Sequence, residues 1–160
     1  SKIFAINKYA KTKILAEKSV KNLQKFLIIR TNFTGKKDKS FIDFLIKNLK
    51  KGKSINLFYD MYTSTLDVKS CSKIIIDLAL INSKGIYNLG SRDMLSKQDF
   101  AIFLSKILKF KIFYKSVSCN TLNVPRGKNL GLDVKKIEKK LGYSMPTIKQ
   151  SIKNLAKDYQ

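Results

Sequence analysis

The run Phe26-Leu-Ile-Ile-Arg-Thr31 is too short for a buried helix and too continuously apolar for a strand with one wet face. It reads as a strand covered on both faces, the kind found in parallel sheets. Such a strand calls for sheet neighbours on either side and helices above and below, and the surrounding sequence supplies the helices. From residue 7 to residue 23, Ile14, Leu15, Val20 and Leu23 recur at helical spacing among Lys, Glu and Gln. Ser40 caps a second helix, with Asp43 three positions on, Phe41, Phe44, Leu45 and Leu49 along one side, and Gly52 as its stop. Residues 55–59 and 65–68 read as strands. Ser70 or Ser72 opens a third helix that runs through Ile81 and is stopped by residues 82–85. A strand bracketed by Gly85 and Gly90 follows, then a helix opened by Ser96 with Asp99 and running through Leu108, then a strand over residues 111–117. A polar stretch containing Pro125 and Lys128 leads to a short helix capped by Asp133 and ended by Gly142, and Pro146-Thr147 starts a last amphipathic helix. Helices and strands alternate, so the class is α/β. The strands are few and mostly downstream of residue 31, so the sheet is expected to lack its first strands.

A chain of 160 residues, 44% of them hydrophobic, can bury a core, and no linker is long enough to divide it into two domains. No apolar run approaches a membrane span, and Lys and Asn interrupt the N-terminus where a signal peptide would need a continuous apolar stretch. Cys71 and Cys119 stand apart, and there is no His. A zinc site or a Cys–His nucleophile is therefore excluded in practice, no metal is expected, and a reduced cytoplasmic setting is the natural reading. The formal charge of +22 invites a nucleic-acid or anionic-membrane interpretation. All but three of the 33 basic residues are Lys, however, and they are spread over nearly every segment. Arg, the residue suited to bidentate phosphate and base contacts, occurs only at positions 30, 92 and 126. Lys, Ile and Asn are all abundant, as an AT-rich coding sequence would produce, so the charge reads as solvated surface, not as a nucleic-acid footprint.

Tyr9 and Lys13 sit four apart on the first helix and share a face. A phenol is a poor acid–base group at neutral pH, and a neighbouring ammonium favours its phenolate. In a chain this rich in Lys, seven Tyr residues yield about one Tyr-x-x-x-Lys by chance. The pair gains meaning only from its surroundings.

Tyr9-Ala-Lys-Thr-Lys-Ile-Leu-Ala-Glu17 resembles the catalytic helix of the extended short-chain dehydrogenase/reductase superfamily. Leu27-Ile-Ile-Arg-Thr-Asn-Phe-Thr-Gly35 resembles the strand and loop that follow in dTDP-4-dehydrorhamnose reductases, and Leu57-Phe-Tyr-Asp-Met-Tyr-Thr-Ser-Thr65 is similar to their Asp-Gln-x-Gly-x-Pro-Thr stretch. Gly85-Ile-Tyr-Asn-Leu-Gly90 with Ser96 and Phe100-Ala101 is similar to the next family segment. Arg126-Gly-Lys-Asn-Leu-Gly-Leu-Asp133 with Lys136 and Leu141-Gly142 is similar to the last. The five occur in the family's order and cover nearly the whole chain.

The resemblance implies the C-terminal part of an NAD(P)-binding Rossmann-type fold with its small substrate-binding lobe. Residues 1–35 would be the catalytic helix and following strand of the Rossmann core, and residues 36–160 mostly the substrate-binding lobe with returning core elements. It implies that Tyr9 protonates a sugar keto oxygen as a nicotinamide delivers hydride, and that Lys13 holds the nicotinamide ribose and tunes Tyr9. Thr31 and Asn32 would face the cofactor, Phe33 the sugar, and Arg126 the nucleotide diphosphate of the substrate. Thr65 stands for the family's Pro, Met61 for its Gln, Thr63 for its Gly and Gly127 for the Pro after Arg126. No G-x-x-G-x-x-G follows a strand, so the half that binds the cofactor NAD(P)H is expected to lie outside this chain, which does not start with Met. The expected function is that of a fragment of a nucleotide-sugar reductase, inactive alone, with a homodimer as one assembly open to the full-length protein. Three alternatives stay open: an NAD-dependent sugar-nucleotide epimerase or dehydratase, a non-catalytic sugar-nucleotide-binding accessory protein, and a basic nucleic-acid-binding domain using Phe110, Phe113 and Tyr114 among lysines.

Overall fold

A computed structural model describes residues 7–38, 40–124 and 126–160; Ser1 to Ile6 and Pro125, on which parts of the sequence reading fall, lie outside the described residues. Helix α1 (Lys8–Lys21) starts where the Asn7 side chain accepts from the Ala10 N–H, and it buries none of its residues. Strand β1 (Leu27–Thr31) runs parallel to β6 (Gly85–Leu89), with Leu27 opposite Gly85 and Thr31 opposite Leu89. Strand β2 (Phe33–Thr34) lies parallel to β5 (Leu66–Asp67), and β3 (Ile55–Phe58) parallel to β8 (Tyr114–Val117). Strand β4 (Tyr62–Thr63) sits between β7 (Leu95–Ser96), antiparallel to it, and β9 (Asn129–Leu130), parallel to it. The remaining helices are α2 (Phe41–Lys50), α3 (Val68–Leu80), α4 (Lys97–Ile107), α5 (Lys135–Leu141) and α6 (Ile148–Ala156).

Two apolar clusters hold these elements together. In the first, Leu45 of α2, Leu57 of β3, Phe100 and Leu104 of α4, and Ile148 and Ile152 of α6 meet. In the second, Leu66 of β5, Leu78 of α3, Leu89 of β6, Ile137 of α5 and Met145 pack against one another. Apolar spacing puts these residues on the inner helix faces, and the caps set where each helix begins. Ser40 accepts from the Asp43 N–H. Ser96 accepts from the Asp99 N–H while its hydroxyl donates to the Asp99 carboxylate. Thr147 and Gln150 form a capping box at α6.

Several expectations need correction. Helix α3 is opened by Asp67, whose carboxylate accepts from the Ser70 N–H at 2.9 Å, and not by Ser70 or Ser72, which lie inside the helix. The strand expected over residues 65–68 is therefore shorter, confined to Leu66–Asp67. Asp133 is not the N-cap of α5: that position is Val134, without a side-chain bond, and Asp133 accepts from the Lys135 N–H from one residue outside. The strand expected over residues 111–117 begins only at Tyr114, because its partner β3 offers four residues. Strand β1, expected to be doubly buried, is half-buried along its whole length. Among the described residues its one strand neighbour is β6.

With no residue buried, α1 depends on a polar tether. Arg30 of β1 donates from Nε and Nη2 to the two carboxylate oxygens of Glu17, at 2.7 and 2.6 Å. The hydrogen bond from Arg30 is the main reason the Glu17 carboxyl titrates below its usual range, and it outweighs the opposing effect of burial. The folded state thus favours the charged carboxylate. The tether is fully present above the unfolded glutamate value of about 4.3 and is lost as pH falls through the lower folded value. Glu17→Gln should cost about 1 kcal/mol of local stability near neutrality and remove this acid-range dependence. Hydrogen exchange read at the amides of α1, with those of α4 as the internal reference, checks both; equal protection of α1 in the two proteins would contradict the tether.

Candidate active-site cleft

Residues 61–67 connect β3 to α3, and all but the exposed Tyr62 are buried, although four of them (Thr63, Ser64, Thr65 and Asp67) are polar. Buried polar groups need partners, and here partners come from every side. The Met61 carbonyl accepts from the Lys97 N–H at 2.9 Å, and the Tyr62 N–H donates to the Lys128 carbonyl at 2.7 Å. Asn32 Nδ2 donates to Thr63 Oγ1 at 2.6 Å, and Thr65 Oγ1 donates to Asn32 Oδ1 at 3.5 Å. The Ser64 carbonyl accepts from the Ser91 N–H, and its hydroxyl from the Leu132 N–H at 3.0 Å.

Asp60, at the head of this segment, accepts from the Ser118 hydroxyl and the Cys119 N–H, both at 2.7 Å, with Lys128 Nζ at 3.3 Å. Those bonds, the one from Ser118 foremost, hold its carboxyl well below the usual carboxylate range. The loop that carries Arg126 is thereby clamped to the turn between β3 and β4.

Beside this segment lies a cleft of about 420 Å³. Asn32, Phe33, Phe41, Thr65, Lys97 and Phe100 line it, together with the exposed Lys36 and Lys37. Lys97, the first residue of α4, is half-buried, and its Nζ stands 4.6 Å from the centroid of the Phe41 ring. Burial, and after it the charge of Arg126, lower the Lys97 ammonium below the ordinary lysine range.

The structure brings Asn32 and Phe33 together in the cleft. Phe33 is 56% exposed there, so it is no ordinary core residue. Both ends of the Asn32 amide are committed to Thr63 and Thr65, two positions that depart from the family's Gly and Pro. Tyr9, Lys13, Thr31 and Arg126 do not line the cleft. Tyr9 is 70% exposed on α1, with Lys13 Nζ 5.5 Å from its ring centroid, so the pair does share a face. Thr31 Oγ1 lies 3.7 Å from Cys71 Sγ, and Arg126 is exposed. Lys97, Phe41, Phe100 and Thr65 escaped the sequence reading as site residues. Lys97 carried only the signal of following a helix cap, which is lost among so many lysines. Among the described residues no cluster of three His, Cys, Asp or Glu could hold a metal, and no helix is long and apolar enough to cross a membrane.

A protein-family model described as the RmlD substrate binding domain matches residues 3–160. The chain belongs to the RmlD substrate binding domain family. No curated protein matches it. Among solved structures, dTDP-4-dehydrorhamnose reductase of Bacillus anthracis, in complex with NADP, superposes with a TM-score of 0.89 at 22% identity over 98% of this chain and 57% of that one. The ortholog from Clostridium acetobutylicum gives 0.91 at 18% identity over 100% and 58%, and the Yersinia enterocolitica reductase 0.87 at 23% over 98% and 58%. The RmlD-type chain thus spans under two thirds of these relatives. Its fold is α/β and Rossmann-like, that of the part of these reductases on which it superposes, as the alternation of helices and strands led one to expect.

Gly90 shows how tightly the segment beside the cleft is enclosed in this RmlD-type lobe. A Cβ there would meet the Ser64 carbonyl oxygen at 2.6 Å and its hydroxyl at 2.7 Å. Gly90→Ala must push the buried segment away from β6, and a cost of about 1–3 kcal/mol is expected. Urea unfolding with an unchanged m-value measures it; a loss under 0.5 kcal/mol (roughly the scale of a neutral surface change) would show that the contact relaxes freely.

Proposed function

We propose that this chain is the substrate-binding part of a reductase of 4-keto sugar nucleotides, of the dTDP-4-dehydrorhamnose reductase type, and that it is inactive without a dinucleotide-binding half. The observation that carries this is the family match over residues 3–160, supported by a cleft that holds Asn32 and Phe33 side by side. The division into a core piece over residues 1–35 and a lobe over residues 36–160 is supported by β6, which returns to pair with β1. Cys71 and Cys119 are both free and buried, which supports a reducing, cytoplasmic setting.

NAD(P)H would supply the hydride for the keto carbon. Tyr9, with its exposed phenol, has the access needed to pass a proton to the keto oxygen, and Lys13 on the same helix face has the donors for a ribose hydroxyl. Thr31 and Asn32, at the end of β1, would face the cofactor. Asn32 is held by two hydroxyls and would act as a fixed wall, while Phe33 offers an apolar face to the sugar. Arg126, on the clamped loop, would meet the diphosphate.

In a protein extended upstream to include the dinucleotide-binding half, Tyr9→Phe should lower kcat for reduction of dTDP-4-keto-6-deoxy-sugar by about 10²–10⁴-fold while leaving substrate affinity nearly unchanged. Turnover at the wild-type rate would remove Tyr9 from the chemistry. Absence of turnover in the wild-type extended protein, with sugar-nucleotide binding intact, would instead favour a non-catalytic binding role.

A further inference from the structure

Lys97 is the half-buried cation of the cleft, where Lys36 and Lys37 are exposed. Its ammonium is half-buried against the Phe41 ring, in a cleft also lined by Phe100. Among the described residues it meets no carboxylate within ion-pairing distance, whereas Lys47, Lys69, Lys73 and Lys128 each do. A half-buried ammonium without a counter-ion is unfavourable, and an incoming anion would reverse that cost. The strand order places a second cation across β4. Lys97 follows β7 and Arg126 precedes β9, and these two strands flank β4 on opposite sides. The charge of Arg126 is felt at the Lys97 ammonium. One fixed monoanion cannot use both cations fully, but two linked phosphates can.

Resting on the sugar-nucleotide reading above, we propose that Lys97 is a specificity-determining residue of the cleft, holding one phosphate of a nucleoside diphosphate whose other phosphate faces Arg126. Lys97 then distinguishes diphosphate-linked substrates from monophosphate ones. Lys36 and Lys37 line the same cleft but are exposed, so their ammonium groups stay hydrated and contribute less. The Lys97 ammonium stands 4.6 Å from the centroid of the Phe41 ring, which helps to hold the charge in place before the ligand arrives.

The test is calorimetric binding of dTDP, UDP, dTMP and inorganic pyrophosphate to this chain and to Lys97→Met, Lys97→Gln and Lys97→Arg. Met and Gln keep an unbranched stem of similar length, and their unfolding midpoints verify the fold; the Arg variant carries the result if both neutral variants fail to fold. The wild type should prefer dTDP over dTMP by about 10–100-fold, the range of one charge-assisted contact. Lys97→Met and Lys97→Gln should lose most of that preference through weaker dTDP binding, with dTMP affinity changed by less than about threefold, and Lys97→Arg should retain it. A merely structural lysine would not alter the dTDP-to-dTMP ratio. An unchanged ratio in the neutral variants, or a ratio lost in Lys97→Arg, overturns the assignment of Lys97 while leaving the sugar-nucleotide reading standing. Failure of the wild-type chain to bind dTDP, UDP or pyrophosphate overturns both.

Discussion

The structure depends on a largely buried, polar stretch of chain, residues 61–67, and on the need to satisfy its hydrogen bonds. Once Thr63, Ser64, Thr65 and Asp67 are out of water, each must find a partner or cost about 1–3 kcal/mol. The partners come from the end of β1, the loop after β6, the start of α4, the loop around Arg126 and Leu132 between β9 and α5. One short segment therefore fixes the relative position of elements far apart in sequence. The cleft forms where that segment, the start of α4 and the loop after β1 converge. Its walls are set by hydrogen bonds that cannot shift singly, so the substrate lobe offers a preformed surface.

The first helix obeys different physics. Helix α1 buries nothing and is tethered by the Glu17–Arg30 pair, so its position draws little on apolar burial within the described chain. The Tyr9–Lys13 pair rides on this helix, while the cleft is built on the two apolar clusters. The exposed Tyr9–Lys13 pair and the cleft are thus held by different kinds of interaction.

The departures from the family pattern acquire a physical meaning in the folded chain. Thr63 and Thr65 replace residues without hydroxyls and use those hydroxyls to grip Asn32. Met61 is buried, so an apolar side chain there is tolerated where the family has an amide. Lys97 and Arg126 flank β4 because two short strands bracket it, in pairings that span more than thirty residues between β4 and β7 and more than sixty between β4 and β9.

Local signals were readable from the residues alone. The α/β alternation, the caps at Ser40, Ser96 and Thr147, the stops at Gly52 and Gly142, and the face shared by Tyr9 and Lys13 depend on neighbours three or four positions away. The order of five weak motifs also disclosed the family, because order is a property of the chain itself. The sequence did not disclose the cap of α3, where Asp67 outcompetes two serines, or the strand pairs of two residues, which are too short to have a period. Nor could it single out Lys97 among thirty lysines. Burial against Phe41 and the lack of a carboxylate partner among the described residues are non-local facts, and only the tertiary structure decides them, because hydration of a charge depends on what the rest of the chain packs around it.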